Sequence, residues 1–243
     1  MPYLAMTAAE FQSNLPRPEK LAWMACHFSP YGTGLTNLPQ ELPLNSLLIL
    51  NDRTPIHSHD PQRIFDQLRQ SVELFHCRGL LLDLQRPNCM ETATVAEKLL
   101  ALPCPVIVSE CYAKPLDCPV FLPPVPLDRT IAEYISPWQG REVWLEAALD
   151  SLQITVTEDG CTRSPVGASV IREHAHSDNE LFCHYTVSVS HDRAVFSLCR
   201  TKDDLNNLLS AAKTQGIANF VGLYQELGKD DCFTAECGRF SRG

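Results

Sequence analysis

The alternation of short β-rich runs with helix-patterned segments is the feature that most constrains the fold of this chain. Seven runs have the length and apolar content of buried strands, and helical periodicity or turn signals separate most of them. These runs are 21–28, 46–52, 79–84, 105–110, 119–122, 142–149 and 217–224. Such alternation favours parallel strands joined by crossover helices. We therefore predict an α/β fold, a TIM-type (β/α)8 barrel that is reduced or distorted, with its eighth strand either hidden in the proline-rich stretch 29–45 or lost.

The clearest predicted helix follows the second of these runs. Asp60 and Pro61 have the pattern of an N-cap and a first-turn proline. The helical spacing then continues with apolar residues on one face, at Ile64, Leu68, Val72 and Phe75. Further helices are predicted within 90–102, 128–135 and 202–215, the last of them closed by Gly216.

A different pattern occupies residues 150–200. Here apolar and polar residues alternate with period two, and turn signals occur at Asp159-Gly160 and near His191-Asp192. We predict a small antiparallel β insertion before the last helix and strand. The domain prediction is a single barrel domain over 1–243 that contains this insertion.

Composition narrows the possible partners. With a net charge of −9, the chain is a poor candidate for binding nucleic acid or an anionic membrane surface. No apolar run has the length of a membrane span, and the N-terminus lacks the pattern of a signal peptide, so we expect a cytoplasmic protein. The 11 cysteines include no C-x-x-C pair. We therefore expect free thiols, no structural zinc and no cofactor.

The stretch "RGLLLDLQRP", residues 78–87, carries the main functional signal. Its apolar run is interrupted by Asp83, and Gln85 follows two residues later. Side chains two residues apart on a strand point to the same side. Because barrel sites form at the carboxyl ends of the strands, this pair is predicted to line a site.

The segment "ELFHCRGLLLDLQRP" resembles the fourth-strand signature of glycoside hydrolase family 18, the chitinase-like barrels, which reads D-G-x-D-x-D-x-E. Gly79 and Asp83 match that signature, and Pro87 is a proline of the kind that often follows it. Arg78, Leu81 and Gln85 stand where the family has Asp, Asp and Glu.

Two later segments also follow the family's order. Residues 141–160 resemble the seventh strand and the start of the family's inserted α+β region, and residues 191–227 resemble the end of that insertion, a helix and the eighth strand. In the family the eighth strand often ends in a Trp at the floor of the sugar site. Leu223 or Tyr224 is in its place here.

The resemblance implies a substrate-assisted reaction, in which the acetamido group of the sugar attacks and the last Glu of the signature protonates the leaving oxygen. Gln85 has the shape of that Glu but cannot give up a proton at neutral pH. We therefore predict a degenerate site that binds a carbohydrate or related ligand with little or no hydrolysis. Its vestigial catalytic pair is Asp83 and Gln85, and the predicted ligand contacts are these two residues together with Tyr112, Trp138 and Tyr224.

Two alternatives remain open at the level of sequence. An active hydrolase could use a relocated acid, for which Glu110, Glu146 and Glu226 lie near predicted strand ends, or a metal at His57 and His59. A structural or partner-binding barrel would need no site, and Asp83 would then pair with an arginine such as Arg78 or Arg86. The sequence does not specify an oligomeric state.

Overall fold

The computed structural model describes residues 1–13, 15–31, 34–55, 60–166 and 175–228. These residues form two compact units. The first comprises the described parts of 1–122, 140–146 and 219–228, and the second comprises those of 123–139 and 147–218. The single domain over 1–243 stays a prediction. Within the described ranges, no helix is long and apolar enough to cross a membrane.

Eight parallel strands close into a barrel, and all strands are numbered here in chain order. The strands are β1 (Tyr3–Met6), β2 (Leu21–Phe28), β4 (Leu47–Asn51), β5 (Gly79–Asp83), β6 (Val106–Ser109), β7 (Val120–Leu122), β8 (Val143–Ala147) and β14 (Asn219–Leu223). Strand β1 pairs with both β2 and β14, which closes the ring in the order β1-β14-β8-β7-β6-β5-β4-β2. The predicted TIM-type fold is confirmed.

The strand missing from the sequence count is β1, not a strand within 29–45. That stretch supplies β3 (Leu35–Thr36), which pairs antiparallel with β2 outside the ring. Strand β1 has only 4 residues, too few for a periodic signal. A capping box does mark its end, because Thr7 and Glu10 cap the helix α1 (Ala8–Gln12) reciprocally.

The barrel unit keeps all eight strands, but most of the helices that follow them are short. Two full helices pack between strands, α2 (Pro61–Phe75) and α3 (Met90–Leu99). Helix α1 has 5 residues, and α4 (Glu110–Ala113) and α7 (Tyr224–Leu227) have 4 each. As predicted, Asp60 caps α2, accepting from the backbone N–H groups of Gln62 and Arg63 at 3.1 Å each.

An apolar cluster fills the barrel interior. Inward side chains from successive strands form it, including Ile49, Leu81, Ile107, Phe121 and Trp144. Leu81 is 1% exposed, so the position where the family signature has an Asp lies within this core. Because strand side chains alternate, Asp83 follows Leu81 on the inward side at the carboxyl end of β5.

A steric constraint applies at Gly79, a residue that matches the family signature. A Cβ atom there would lie 3.0 Å from the Pro105 carbonyl oxygen, which accepts a hydrogen bond from Leu80 N–H at 2.9 Å. A side chain at the start of β5 would therefore push the neighbouring strand away.

The second unit contains the predicted antiparallel insertion. Its five strands are arranged in the order β10-β9-β13-β12-β11, and they are β9 (Ser151–Thr157), β10 (Gly160–Pro165), β11 (His176–Asp178), β12 (Cys183–Val189) and β13 (Arg193–Cys199). One face packs into an apolar cluster around Leu127, Cys183 and Leu198. Helices α5 (Ile131–Ile135) and α6 (Lys202–Thr214) and a 3₁₀ turn at Ser136–Trp138 complete the unit.

Candidate functional site

A cleft of about 510 Å³ opens at the carboxyl ends of β2, β4 and β5. Ligand sites of parallel barrels occur at this end because the loops that follow the strands converge there. The side chains that could contact a ligand come from all three strand ends and include His27, Asn51, Asp52, Arg53, Asp83 and Gln85. The sequence therefore brings Asp83 and Gln85 together at an open cleft.

Asp52 holds the loop that carries Gln85. Its side chain is buried, with the residue 5% exposed. Oδ1 accepts from the Gln85 backbone N–H at 3.0 Å, and Oδ2 accepts from the Arg86 backbone N–H at 2.8 Å. Two charge-assisted hydrogen bonds to successive amides fix the direction in which the chain leaves β5.

Arg86 and Tyr112 complete the support of this loop. Arg86 Nε donates to the Asp52 carbonyl at 2.9 Å, and its Nη2 donates to the Arg53 carbonyl at 3.0 Å. The Tyr112 hydroxyl donates to the Arg86 carbonyl and accepts from Cys89 N–H at 3.3 Å. Tyr112 is buried and holds the loop through these hydrogen bonds, whereas the Gln85 side chain on the loop is exposed.

Asp83 and Gln85 are linked directly. Gln85 Nε2 donates to Asp83 Oδ1 at 3.1 Å. Burial raises the pKa of Asp83, the hydrogen bond from Gln85 partly offsets that rise, and the nearby charge of Asp52 adds to it. The pair offers a ligand an amide oxygen and a carboxylate, but Gln85 supplies no acidic proton.

A second, smaller cavity lies further into the barrel mouth. Its volume is about 30 Å³, and Asp83 and Glu146 both line it together with Met24, Phe121 and Leu223. Asp83 therefore borders both the outer cleft and this inner cavity. Of the two residues considered for the end of the eighth barrel strand, it is Leu223 that lines the inner cavity.

The described lining of the cleft does not include the other predicted ligand contacts. Tyr224 is 3% exposed and its hydroxyl donates to the Pro16 carbonyl at 3.0 Å. Trp138 is 8% exposed within the second unit. Their roles as ligand contacts stay predictions, as does that of Tyr112.

The three glutamates considered as relocated acids lie in different parts of the barrel unit. Glu146 borders the inner cavity with Asp83, whereas Glu110 begins α4 and Glu226 belongs to α7. His57 and His59 lie outside the described residues. Among the described residues, no group of three or more His, Cys, Asp or Glu side chains is arranged to hold a metal ion.

Sequence reasoning missed the role of Asp52. Only the histidines that follow it, His57 and His59, were singled out, although the Asp52 side chain supports the loop after β5. The only signal for it was its position directly after a buried strand.

The fold is shared with solved glycoside-cleaving enzymes. The class V chitinase of Nicotiana tobaccum superposes with a TM-score of 0.59 at 10% sequence identity, covering 95% of each chain. A Glu-to-Gln mutant of that chitinase in complex with NAG4 gives a TM-score of 0.59 at 11% identity, again over 95% of each chain.

The spore cortex-lytic enzyme SleL of Bacillus megaterium superposes with a TM-score of 0.53 at 10% identity, covering 91% of this chain and 69% of that one. Against SleL of Bacillus cereus the TM-score is 0.51 at 10% identity, and the alignment covers 84% of this chain but only 63% of that enzyme's length. No protein-family model and no curated protein matches the sequence. The chain thus has the chitinase-like barrel fold that the resemblance predicted.

Proposed function

We propose that this chain binds a carbohydrate at the carboxyl ends of its barrel strands, with little or no hydrolysis by the substrate-assisted route. One observation carries the proposal. At the open cleft, the amide of Gln85 is hydrogen-bonded to Asp83, in the position where the chitinase-like signature has its proton-donating Glu. The position keeps the hydrogen-bonding capacity of that residue and lacks its acidity.

Two further features support binding without the usual chemistry. Leu81, at the position of a signature Asp, is packed in the apolar interior, so Asp83 has no carboxylate partner below it on β5. The Glu-to-Gln mutant of the Nicotiana chitinase is in complex with NAG4, which supports sugar binding in a barrel of this fold without an intact set of acidic residues.

The test compares turnover and binding in one set of variants. Turnover is measured on an aryl chitobioside and binding by calorimetry with N-acetylglucosamine oligomers, for the wild type, Gln85→Glu, Leu81→Asp and the double variant. We expect no product from the wild type and little from Gln85→Glu, because the new acid lacks partners that tune its pKa. The double variant is expected to exceed both single variants, although a carboxylate at position 81 costs several kcal/mol of stability.

Two outcomes contradict the proposal. Strong wild-type turnover that survives Asp83→Ala would show that the chemistry is performed elsewhere. Silence in all four proteins, together with no oligomer binding, would favour a structural or partner-binding barrel.

One observation favours a second candidate, an active hydrolase with a relocated acid. Glu146 borders the same inner cavity as Asp83, so it is the alternative acid best placed to act on a group held there. This candidate requires wild-type turnover that Glu146→Gln abolishes and Glu110→Gln leaves unchanged.

A further inference from the structure

We propose that the second unit contains a separate binding site for an oligosaccharide that carries carboxylate groups, on the polar face of its antiparallel sheet. Every described residue that lines this site belongs to the second unit, so the inference does not depend on the barrel cleft. The shape, the hydrogen-bonding groups and the charge of this face lead to it.

The face forms a groove of about 690 Å³, against about 510 Å³ for the cleft at the barrel mouth. Four neighbouring strands of the sheet, β9, β13, β12 and β11, contribute to its lining. Most of the described lining consists of side chains that carry a hydroxyl or an amide group, at Gln153, Thr155, Thr186, Ser188, Ser190 and Ser197. The groove therefore offers a ligand several hydrogen bonds at once.

Strand pairing arranges these groups in rows. Ser197 on β13 lies opposite Gln153 of β9 and Thr186 of β12. In the next row, Thr155 and Ser188 occupy the two strands that flank β13. Because neighbouring strands are about 4.8 Å apart, the groups of one row are spaced widely enough to contact successive parts of a hydroxylated chain.

Several of these groups are not used by the fold. Gln153 Nε2 donates to Ser197 Oγ at 3.5 Å, which is longer than an ordinary N–H···O hydrogen bond. Within the described ranges, the hydroxyl groups of Thr155, Thr186 and Ser188 take part in no hydrogen bond. They are therefore available to a ligand.

The charge of the groove favours an anion. Its described lining contains two basic side chains, His176 and Arg193, and no Asp or Glu, in a chain whose net charge is −9. The salt bridges among the residues that the structure describes do not involve Arg193. A guanidinium group binds a carboxylate through two parallel N–H···O bonds, so Arg193 can hold one carboxylate of a ligand.

The lining also argues for a saccharide rather than a macromolecular partner. Protein interfaces have apolar and aromatic centres, whereas the apolar side chains of this described lining are Val187 and Val195. Nucleic acids and anionic membranes are held by several cations at once, whereas Arg193 is accompanied here by His176 alone. A chain of hydroxylated rings that carry carboxylates uses both the rows of hydroxyl groups and the arginine.

The experiment measures affinity by calorimetry for the galacturonic acid tetramer and for the neutral galactose tetramer of the same linkage. We expect the wild type to prefer the acidic tetramer by about tenfold or more, as one charge-assisted contact allows. Arg193→Gln should remove most of that preference. Thr186→Val keeps the shape of the side chain but removes its hydroxyl group, and should weaken the binding of both tetramers by about threefold.

Controls separate this groove from the rest of the protein. Arg129→Gln removes the same charge from an exposed position elsewhere in the second unit and should leave the preference unchanged. The N-acetylglucosamine tetramer should not displace the acidic tetramer. If Arg193→Gln fails to fold by circular dichroism, Arg193→Lys is measured in its place and should lose part of the preference, because an ammonium group lacks the fork of a guanidinium.

Four results would overturn the inference. They are no binding of the acidic tetramer, equal affinities for the two tetramers, equal losses in Arg193→Gln and Arg129→Gln, and displacement of the acidic tetramer by the N-acetylglucosamine tetramer. Each of them would leave the proposed function of the barrel cleft standing, since that function is tested by its own ligands and variants.

Discussion

Two carboxylates, one in each unit, lie in opposite surroundings. Asp204 in the second unit is surrounded by donors, since its Oδ2 accepts from Thr201 N–H at 2.9 Å, Thr201 Oγ1 at 2.7 Å and His184 Nδ1 at 2.7 Å. Burial raises the pKa of Asp204, but the bonds from Thr201 and His184 outweigh that effect and lower it overall. Among the described residues, Asp83 at the barrel mouth has a single amide donor at 3.1 Å, and its pKa is raised.

The difference in hydrogen-bond donors means that the Asp204 carboxylate stabilises the fold, whereas the Asp83 carboxylate does not. The donors around Asp204 complete the capping box of α6 and join it to the neighbouring strand β12. In the part of the chain that the structure describes, no comparable set of donors offsets the burial of Asp83. Poorly compensated charge that borders a cleft is characteristic of functional positions, where stability is exchanged for ligand binding.

The largest expected effect is at Asp204. Asp204→Ala removes three hydrogen bonds from a side chain that is 10% exposed and should lower the free energy of unfolding by about 3 kcal/mol. Because its folded pKa lies below the ordinary value of 3.8, its contribution is present above that pH and is lost as the pH falls through the folded pKa. Urea unfolding at several pH values measures both effects.

Its neighbour Asp203 provides the matched control. Asp203 is an exposed acidic residue in the same first turn of α6, so Asp203→Ala should cost no more than about 0.5 kcal/mol through the helix dipole. Equal losses at the two positions would mean that the donors around Asp204 contribute nothing beyond its charge.

The next largest effect on stability is expected at Asp52. This residue lies beside Asp83, but like Asp204 it accepts hydrogen bonds from backbone N–H groups. Asp52→Asn leaves one backbone N–H, of Gln85 or Arg86, facing an amide NH₂ group, and should cost about 2 kcal/mol by urea unfolding. It should also weaken oligosaccharide binding, because the loop that bears Gln85 loses its anchor. Reduced stability with unchanged binding would show that the loop does not position the ligand.

The features of the fold and the site that the sequence predicts are set by residues close together in the chain. The features that it does not predict depend on residues far apart in the chain. Asp60 as a cap and the pairing of Asp83 with Gln85 depend on neighbouring residues and a known periodicity, and both were predictable. Asp52 serves amides 33 and 34 residues further along the chain, and the shared cavity of Asp83 and Glu146 exists only once β5 and β8 belong to one closed ring. Strand β1 was missed because 4 residues are too few to show a period.

The smallest expected effect has the opposite sign. Asp83→Asn should raise the free energy of unfolding at neutral pH by about 1 kcal/mol or less, since it removes a partly buried charge and keeps the shape of the side chain. The folded pKa of Asp83 lies above 3.8, so the native state binds more protons than the unfolded state between these two values. Stability from this group therefore falls as the pH rises through that window, and its cost is fully present at neutral pH.

Thermal and urea unfolding of the wild type and Asp83→Asn, at acidic and at neutral pH, measure this effect. The gain in Asp83→Asn should be absent at the acidic pH and present at the neutral one, while exposed Asp203→Asn should show no gain at either pH. Calorimetry on the same proteins should show weaker sugar binding by Asp83→Asn, since the carboxylate that costs stability is the one proposed to contact the ligand. A variant that is less stable at neutral pH would mean that Asp83, like Asp204, stabilises the fold, and the contrast between the two carboxylates would not hold.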